Sequence, residues 1–500
     1  MILLGLLIIP LAAGPLAFFL RRRHRMEVVN LAAFAILLSL AVVLVAQVLR
    51  SGPVSLWDGF FYADALSALV VLLSAFVSLV CSIYAVGYFR HEEGSGALRD
   101  AERVGGRFAV DKLREYYALM PFLVFAMTLV ALANNLGILW VAVEGTTLAS
   151  VFLVMFYGRE TSLEAAWKYA IIGGVGLSMA LFGTILTYYS AYGALGTETL
   201  AGLNWSVLAR NAAQFDKPTM RLAFILILLG YGTKAGIAPM HTWKPDAYSE
   251  APIPGAAILA TGVLNCALYA LVRFYILSSK CLGPQFGSQL LILFGLLSMG
   301  VAVPFILVQK NFRRLLAYSS IDHSGIMVLA LGFGGPLGIL GMLLHMTFHS
   351  VTKPLLFFCA GNVQQHLNSD LFQKAKGGLI HSMPLTGAAF LMVTLAVTGS
   401  PPFSFFQSEF TVLRAGFARD HFVLAFFFVS FLALIFSGFL VHIAGLVLGE
   451  DLGLPAADMC RWKKYSVAGL SLVIVVMGFW IPASLFRLIQ GAVGIVVGRR

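Results

Sequence analysis

Apolar residues form long runs along almost the whole chain, and short polar segments separate the runs. Many runs are close to the roughly 20 residues that an α-helix needs to cross a bilayer. This pattern predicts an all-α, polytopic membrane protein with about 14 transmembrane helices. The first run, residues 1–20, has its basic residues after it, which favours a retained helix over a secretory signal peptide.

The composition agrees with a membrane protein, and the positions of the basic residues indicate which loops face the cytoplasm. The chain of 500 residues is 59% hydrophobic and 11% charged, with a net charge of +11. Such a charge can mark a nucleic-acid-binding protein, but in a membrane protein it is typical of cytoplasmic loops that face anionic lipid. When alternate loops are assigned to one side, the basic segments fall together at 21–25, 90–114, 159–168, around 244, 310–314, 374–376 and 461–464. We therefore expect a multi-pass protein of the cell inner (plasma) membrane, in contact with the lipid bilayer and not with nucleic acid.

Glycine and proline interrupt two of the predicted helices. Span seven carries Lys234 and breaks at Gly236 and Pro239, and span twelve breaks at the Gly-Ser-Pro-Pro segment 399–402. Membranes tolerate such breaks where the backbone lines a cavity, and ion-coupled transporters place them near their binding sites. The sequence therefore predicts that helices seven and twelve are broken.

Charged residues recur at matching places in the two halves of the chain. Glu144 in span five precedes Lys234 in span seven by 90 residues, and Asp322 in span ten precedes Glu409 in span twelve by 87 residues. An odd number of spans per repeat gives two copies of opposite orientation, so this pattern predicts two inverted five-helix repeats. The predicted division is three N-terminal helices with a cytoplasmic loop, the first repeat, the second repeat, and a C-terminal helix with a tail, at 1–115, 116–280, 281–450 and 451–500.

Lys234 and Glu144 are the charged residues that most need an explanation. A lysine near the centre of a span costs about 2.5–3.5 kcal/mol on insertion scales, so it normally has a partner and a function. Glu144 lies about 9 residues into its own helix, or roughly 13 Å deep, and is the expected partner of Lys234. The pair is either a structural lock between two helices or part of an ion pathway.

Three titratable residues share one face of span eleven. His345, His349 and Lys353 are spaced four residues apart, so they form a polar stripe about 12 Å long. Histidine titrates near neutral pH, and such a stripe favours a proton path. The His-x3-His spacing also suits a metal ion, but no third carboxylate or cysteine ligand is near in the sequence, so we expect no metal.

Other polar residues could support such a path. Asp322, His323 and Lys168 are candidate accessory residues, and Glu409 follows the second helix break. Lys168 either pairs with Glu164 by ordinary helix spacing or modulates the Glu144 site. The five cysteines are scattered without a CxxC pair, which argues against a disulfide framework, a zinc site or an iron–sulfur cluster. We expect no cofactor on this chain.

A family resemblance is carried by six segments, which follow one another within roughly residues 60–450: WVAVEGTTLAS, EAAWKYAIIGG, GTKAGIAPMHTWKPDAYSEAPIPGAAIL, RRLLAYSSIDHSGI, HMTFHSVTKPLLFF and GSPPFSFFQSEF. At these segments the chain resembles the antiporter-like, proton-translocating membrane subunits of complex I, Mrp antiporters and membrane-bound NiFe hydrogenases. It is most similar to the hydrogenase-4 component F branch, chiefly through EAAWKY, GYGTKAG and YSSIDHSG.

The resemblance implies fourteen helices, with inverted repeats at spans 4–8 and 9–13, and proton translocation driven by redox chemistry in partner subunits. In the family's terms, Glu144 and Lys234 match the glutamate–lysine pair, and Lys353 matches the central lysine. Glu409 matches the terminal acid. The implied path comprises Glu144, Lys234, His345, His349, Lys353 and Glu409.

One position departs from the family pattern. Several relatives carry a lysine in span eight, where this chain has Asn265. A link between the two halves of the path would then run through water or through His345 and His349.

The expected protein is thus a non-catalytic, ion-translocating subunit of an oxidoreductase complex. That complex is NADH dehydrogenase-like, as in complex I, or a group 4 NiFe hydrogenase, and its other membrane subunits and iron–sulfur redox subunits are the expected partners. The transported ion is the proton, with sodium as the alternative. An Mrp-type sodium/proton antiporter subunit is the second interpretation. A membrane scaffold that conducts nothing is the third, and buried titratable residues argue against it because they are costly to insert.

Overall fold

The computed structural model describes residues 1–95, 109–195, 200–372, 378–450 and 459–498. Helices make up most of these ranges, so the all-α prediction is confirmed. A small antiparallel hairpin joins β1 (Val54–Leu56) to β2 (Phe61–Ala63). Of the predicted basic segments, 374–376 and the 96–108 part of 90–114 lie outside the described residues.

The helices follow one another with short connections. The first half of the chain contains α1 (Ile2–Phe19), α2 (Arg23–Ser51), α3 (Ala65–Ser95), α4 (Ala109–Leu132), α5 (Leu136–Val154), α6 (Glu160–Leu195), α7 (Trp205–Asn211), α8 (Lys217–Ala235) and α9 (Trp243–Glu250). The second half contains α10 (Ile253–Ile258), α11 (Leu264–Leu282), α12 (Pro284–Leu307), α13 (Phe312–Phe333), α14 (Gly335–Leu367), α15 (Leu379–Ser382), α16 (Pro384–Val397), α17 (Ser404–Phe417), α18 (Phe422–Leu448), α19 (Arg461–Phe479) and α20 (Ala483–Val497). Short 3₁₀ turns at Leu200–Leu203 and Ala212–Gln214 flank α7.

Among the described residues, 11 helices are long and apolar enough to cross a membrane, judged by length and composition. Three further elements are more polar or broken, namely α8, α14 and the pair α16–α17. The chain is a multi-pass membrane protein, as predicted. The count of about fourteen spans would require all three further elements to cross as well, so that count and the inverted repeats stay predictions.

Both predicted helix breaks are present. α8 ends where Gly236 adopts a left-handed conformation, with φ 69° and ψ 45°, and the segment 236–242 separates it from α9. In the second half, the segment 398–403 separates α16 from α17, and Gly399 has φ 71°. Glycine reaches positive φ without the steric cost of a Cβ, which explains why the chain turns at these two residues.

Span eight contains an element that the sequence did not reveal. A π-helical turn at Leu259–Val263 joins α10 to α11, and the whole stretch Ile253–Leu282 is one candidate span. Beyond that turn, the Arg273 guanidinium donates two hydrogen bonds of 2.7 Å to the Asp64 carboxylate at the start of α3. Because a bidentate pair of this kind satisfies both buried charges, it ties span eight to α3.

The centre of the molecule is formed by span eight, α13 and α14. All residues in the ranges 315–333 and 341–363 are buried. The outer helices instead expose large apolar side chains, and on α6 the residues Ile171, Val175 and Ile185 are 61%, 58% and 53% exposed. An apolar outer face suits contact with lipid, so the polar residues of the central helices are the ones shielded from it.

The predicted division into four parts is not tested by this architecture and stays a prediction. Its boundaries at 280 and 450 lie close to the ends of α11 and α18, at Leu282 and Leu448. The boundary at 115 falls inside α4, which begins at Ala109.

Helices α6 and α8 approach closely through small residues, which gives a stability prediction. A Cβ added at Gly230 would lie 2.5 Å from the backbone nitrogen of Ala180 and 2.6 Å from the carbonyl oxygen of Gly176. Because backbone atoms cannot move aside cheaply, we expect Gly230→Ala to destabilise the protein by about 1–3 kcal/mol. Thermal unfolding of the purified variant in detergent would show a lowered Tm. Gly174→Ala on α6 is the matched control, since a Cβ there meets nothing within 4 Å, and an equal loss in both variants would contradict this packing.

Candidate functional site

Lys234 lies in the last turn of α8 and is buried, with 2% of its surface exposed. Its ammonium donates hydrogen bonds to Thr147 Oγ1 at 2.8 Å and to the Tyr169 hydroxyl at 2.6 Å. The same ammonium lies 4.9 Å from the centre of the Tyr169 ring. The Trp243 ring stacks on the Tyr169 ring, with the ring centres 4.5 Å apart, so two packed aromatic side chains border the site of the ammonium.

A directional hydrogen-bond chain leads from Lys234 to α5. The Tyr169 hydroxyl accepts from Lys234, and it donates to Ser150 Oγ at 2.7 Å because the single Ser150 hydroxyl proton is used in another hydrogen bond. Ser150 Oγ in turn donates to the carbonyl oxygen of Thr146 at 2.5 Å. The helix that receives this chain also carries Glu144, two residues before Thr146.

The predicted pairing of Glu144 with Lys234 is not a direct contact in this structure. Both residues are described, yet they form no direct ion pair, and Glu144 Oε2 is buried without a hydrogen-bond partner among the described residues. The two groups still interact electrostatically. Thr147 and Tyr169 take two of the three ammonium hydrogens, so the hydrogen bonds of Lys234 are to neutral groups. A direct ion pair that locks two helices is not the arrangement of this conformation.

The predicted stripe on α14 is present and fully buried. His345, His349 and Lys353 each have 0% of their surface exposed. His345 meets His323 of α13, with His323 Nδ1 2.9 Å from His345 Nε2. Both ring nitrogens of His349 lack a hydrogen-bond partner among the described residues, and its ring centre is 5.3 Å from that of His323. Buried polar groups are normally hydrogen-bonded, so ordered water is expected beside His349.

The second helix break brings α17 against this stripe. Ser408 Oγ lies 3.0 Å from His345 Nδ1 and donates to the carbonyl oxygen of Phe405 at 2.9 Å. His345 must then donate from Nδ1, which leaves Nε2 to accept from His323. Glu409 follows Ser408 and is also buried, at 7% exposed. α17 therefore places the Glu409 carboxyl group beside His323 and His345.

His323, His345 and Glu409 come close enough to raise the question of a metal. Their ligand atoms all lie within 4.8 Å of one another. No third ligand is near His345 and His349 in the sequence, and the group formed here has other members, with Glu409 arriving from α17. The histidine nitrogens that face each other are, however, joined by a hydrogen bond and offer no free lone pair. We therefore treat this group as a hydrogen-bonding one, and the absence of a metal site stays a prediction.

Lys353 lies at the other end of the stripe. Its ammonium donates to Ser319 Oγ at 2.6 Å and to the carbonyl oxygen of Leu316 at 3.4 Å, both on α13. Asp322, one turn further along α13, is buried and interacts electrostatically with Lys353 without a direct ion pair. Asp322 and His323, which the sequence offered as accessory residues, thus lie inside the same group.

Lys168 does not belong to either group. Its side chain is 45% exposed and contacts Glu164 at 2.7 Å and Asp246 at 3.0 Å. Asp246 also contacts Arg314 at 2.8 Å. Of the two interpretations of Lys168, the structure shows the ordinary ion pair and no contact with Glu144.

The sequence interpretation missed Lys244. It placed this residue in an exposed basic loop, but the side chain has 0% of its surface exposed, so that assignment was wrong. The Lys244 ammonium donates to the carbonyl oxygen of Ala235 at 2.7 Å and to Ser324 Oγ at 3.0 Å. A signal was available, because Lys244 follows the Gly236 break by only eight positions.

Asn265, which stands where several relatives carry a lysine, is also buried. Its amide nitrogen donates to Ser350 Oγ on α14 at 2.7 Å. Span eight therefore contributes a neutral hydrogen bond at this position and no charge.

Two family models match the chain. One is described as NADH:quinone oxidoreductase/Mrp antiporter, TM, and matches residues 133–436. The other is described as NADH-Ubiquinone oxidoreductase (complex I), chain 5 N-terminus, and matches residues 59–96. The first alone covers more than half of the chain and includes both groups of buried residues.

Curated relatives support the same family. The chain is 40% identical over 361 residues to the hydrogenase-4 component F homolog of Methylacidiphilum infernorum, a match that covers 72% of this chain and 73% of the relative. It is 31% identical over 401 residues to the NADH-quinone oxidoreductase subunit N of Desulforudis audaxviator, covering 76% and 73%. The predicted resemblance to the hydrogenase-4 component F branch is confirmed.

A solved structure extends the likeness to nearly the whole chain. A chain of the membrane-bound sulfane sulfur reductase, an archaeal respiratory membrane complex, matches with a TM-score of 0.86 over 99% of this chain and 97% of that chain. At 23% identity this likeness shows the fold alone. Together with the family models and the relatives, it supports one conclusion: the chain belongs to the antiporter-like membrane subunits shared by NADH:quinone oxidoreductases, hydrogenase-4-type complexes and Mrp antiporters.

Proposed function

We propose that this chain translocates protons across the cell inner (plasma) membrane as a subunit of a complex I-like or group 4 NiFe hydrogenase complex. The observation that carries the proposal is that titratable side chains lie beside both broken helices, with Lys234, His345, His349, Lys353 and Glu409 buried and Glu144 half-buried. Such residues are costly to place inside a membrane protein and normally mark an ion or proton path. A scaffold that conducts nothing would have no use for them.

The first group lies at the α8 break and consists of Glu144, Lys234 and Tyr169. In the proposed mechanism, Glu144 receives an electrostatic trigger from a neighbouring part of the complex, because one of its oxygens has no partner to hold it. A change of charge at Glu144 alters the proton affinity of Lys234, with which it interacts electrostatically. Lys234 then accepts or releases a proton through Tyr169 and Ser150, which already form a hydrogen-bond chain.

The second group, the α13–α14 group, completes the path. It consists of Asp322, His323, His345, His349, Lys353 and Glu409. Protons pass between Lys353 and the histidines, and from the histidines to Glu409, whose carboxyl group has an oxygen within 4.8 Å of a nitrogen of His323 and of His345. Glu409 also borders a cavity of about 250 Å³ between α17 and α18. Asp322 supplies the negative charge that balances Lys353.

The chemistry of the second group favours protons over sodium. Hard cations take several oxygen ligands, whereas this group offers the carboxylates of Asp322 and Glu409 together with three imidazole rings and an ammonium that would repel a second cation. Imidazole is suited to proton relay because it can accept on one nitrogen while it donates from the other.

Partners and membrane are part of the same proposal. The chain would associate with other membrane subunits and, through them, with iron–sulfur and redox subunits that supply the driving force. No cofactor would sit on this chain itself. The basic loops would face the cytoplasm, in keeping with the distribution of Lys and Arg.

A purification experiment separates this proposal from the Mrp-type alternative. The tagged chain would be isolated in mild detergent, its partners identified by mass spectrometry, and iron and nickel measured in the eluate. We expect iron–sulfur and hydrogenase-like or NADH dehydrogenase-like subunits, with nickel marking a hydrogenase. Recovery with small membrane subunits alone, together with sodium-dependent proton exchange in proteoliposomes, would overturn the redox-driven assignment.

A further inference from the structure

Lys244 is a buried cation that the path described above does not use. It lies on α9, directly after the α8 break, in the part of the chain between the two groups of titratable residues. A buried lysine must be explained either as a structural tether or as a working group.

The partners of Lys244 are all neutral. Its ammonium donates to the carbonyl oxygen of Ala235 at 2.7 Å, to Ser324 Oγ at 3.0 Å and to the carbonyl oxygen of Ser320 at 3.3 Å. No acid forms an ion pair with Lys244 anywhere in the described ranges. Arg273 shows the opposite arrangement, since two bonds to the Asp64 carboxylate neutralise it. Lysine, unlike arginine, can release its proton inside a protein, and here no carboxylate holds that proton in place.

The α8 break makes the room in which Lys244 lies. A Cβ added at Gly236 would be 2.6 Å from Lys244 Cδ and 2.8 Å from Cε. The same break leaves the Ala235 carbonyl, at the negative end of the helix dipole, free to accept from the ammonium. The broken helix and the buried lysine therefore form one structural unit.

Lys244 donates hydrogen bonds to residues that are adjacent in the chain to parts of both groups. Ala235, on one side, is the residue next to Lys234. Ser320, on the other side, is the residue next to Ser319, which accepts from Lys353. The Lys244 charge also acts on Lys353, His323 and His349 across this short distance.

We propose that Lys244 carries protons between the Lys234 group and the α13–α14 group, and so takes the bridging place between the two halves of the path. In one cycle the Lys244 ammonium gives a proton to the second group, and the neutral amine then takes a proton from the Lys234 side. The side chain returns to its starting state, and one proton has moved. This inference rests on the proposed function, because it needs a proton path on both sides of Lys244.

Two substitutions separate a proton carrier from a tether. Lys244→Gln keeps hydrogen-bond donors but cannot titrate, and Lys244→Arg keeps both donors and charge but does not release its proton. The purified complex would be placed in vesicles and supplied with hydrogen or NADH, whichever it oxidises, while proton movement and electron transfer are measured together. We expect both variants to lower the proton-to-electron ratio at least tenfold while electron transfer persists. A normal ratio in either variant would overturn the inference.

Controls make the outcome specific. Lys463→Gln removes another buried lysine, on α19, whose ammonium donates to Gln365, and it should leave the ratio unchanged. If both Lys244 variants fail to assemble, Ser324→Ala tests the inference instead. This variant removes one hydrogen-bond acceptor of Lys244 and leaves Lys244 itself in place. A severalfold lower ratio in Ser324→Ala supports the inference, and an unchanged ratio refutes it. Full transport in Lys234→Ala and Lys353→Ala would instead refute the proposed function itself.

Discussion

Replacing Lys234 by alanine is expected to reduce proton translocation by the complex to less than a tenth, while assembly and electron transfer persist. The ammonium is the donor at the start of the chain through Tyr169 and Ser150, and alanine offers neither a donor nor a titratable group in its place. The side chain lies in a helix end whose backbone is fixed by Gly236, so its removal leaves the break intact. Proton uptake by inside-out membrane vesicles, measured with the rate of electron transfer, tests this expectation.

The matched control for Lys234 is Lys168→Ala. Lys168 is exposed and held in a surface ion-pair network, and such pairs are worth about 0–1 kcal/mol. Its removal should leave the proton-to-electron ratio unchanged. If both variants lost transport equally, a general disturbance of α6 and α8 would explain the result, and the role given to Lys234 would be wrong.

Adding a single methyl group at Gly399 is expected to stop transport although Glu409 itself is unchanged. A Cβ at this position would lie 1.9 Å from Glu409 Oε2 and 2.8 Å from Cδ, so the carboxyl group would have to leave its place. The positive φ of Gly399 adds backbone strain of roughly 1–3 kcal/mol in Gly399→Ala. We expect the proton-to-electron ratio to fall at least tenfold, with a modest loss of thermal stability.

Two comparisons isolate the cause of that loss. Gly445→Ala on α18 introduces the same methyl group where nothing lies within 4 Å, and it should be silent. Glu409→Gln, which keeps the shape of the side chain but not its charge, should reproduce the transport defect without the backbone strain. Normal transport in Gly399→Ala would show that protons do not pass through the carboxyl group in its present position.

The sequence was sufficient to predict the residues whose surroundings are set by their own helix. Lys234 stood out because it interrupts an apolar run, and the stripe on α14 followed from a spacing of four residues. The positions of the helix breaks followed from glycine and proline. Each of these inferences depends on one segment of chain, and local geometry decides it.

Contacts between helices were beyond the reach of the sequence. The sequence indicated that Glu144 and Lys234 are partners, but it could not indicate that Thr147 and Tyr169, on two different helices, are the groups that touch the ammonium. Lys244 was missed because the polar residues around it are typical of a loop, whereas its burial depends on α13 packing over the break. Glu409 lies within 4.8 Å of His323 and His345, a proximity that no spacing in the sequence indicates.

The π turn at Leu259–Val263 sets the direction in which the rest of span eight points. In an ordinary α-helix each added or removed residue rotates everything beyond it by about 100° around the axis. Deleting one residue from this turn, so that α10 and α11 became one regular helix, would swing both Asn265 and Arg273 away from their present partners at once. The π turn thus sets the rotation of α11 about its axis. With this rotation, one continuous span places Asn265 against Ser350 and Arg273 against Asp64.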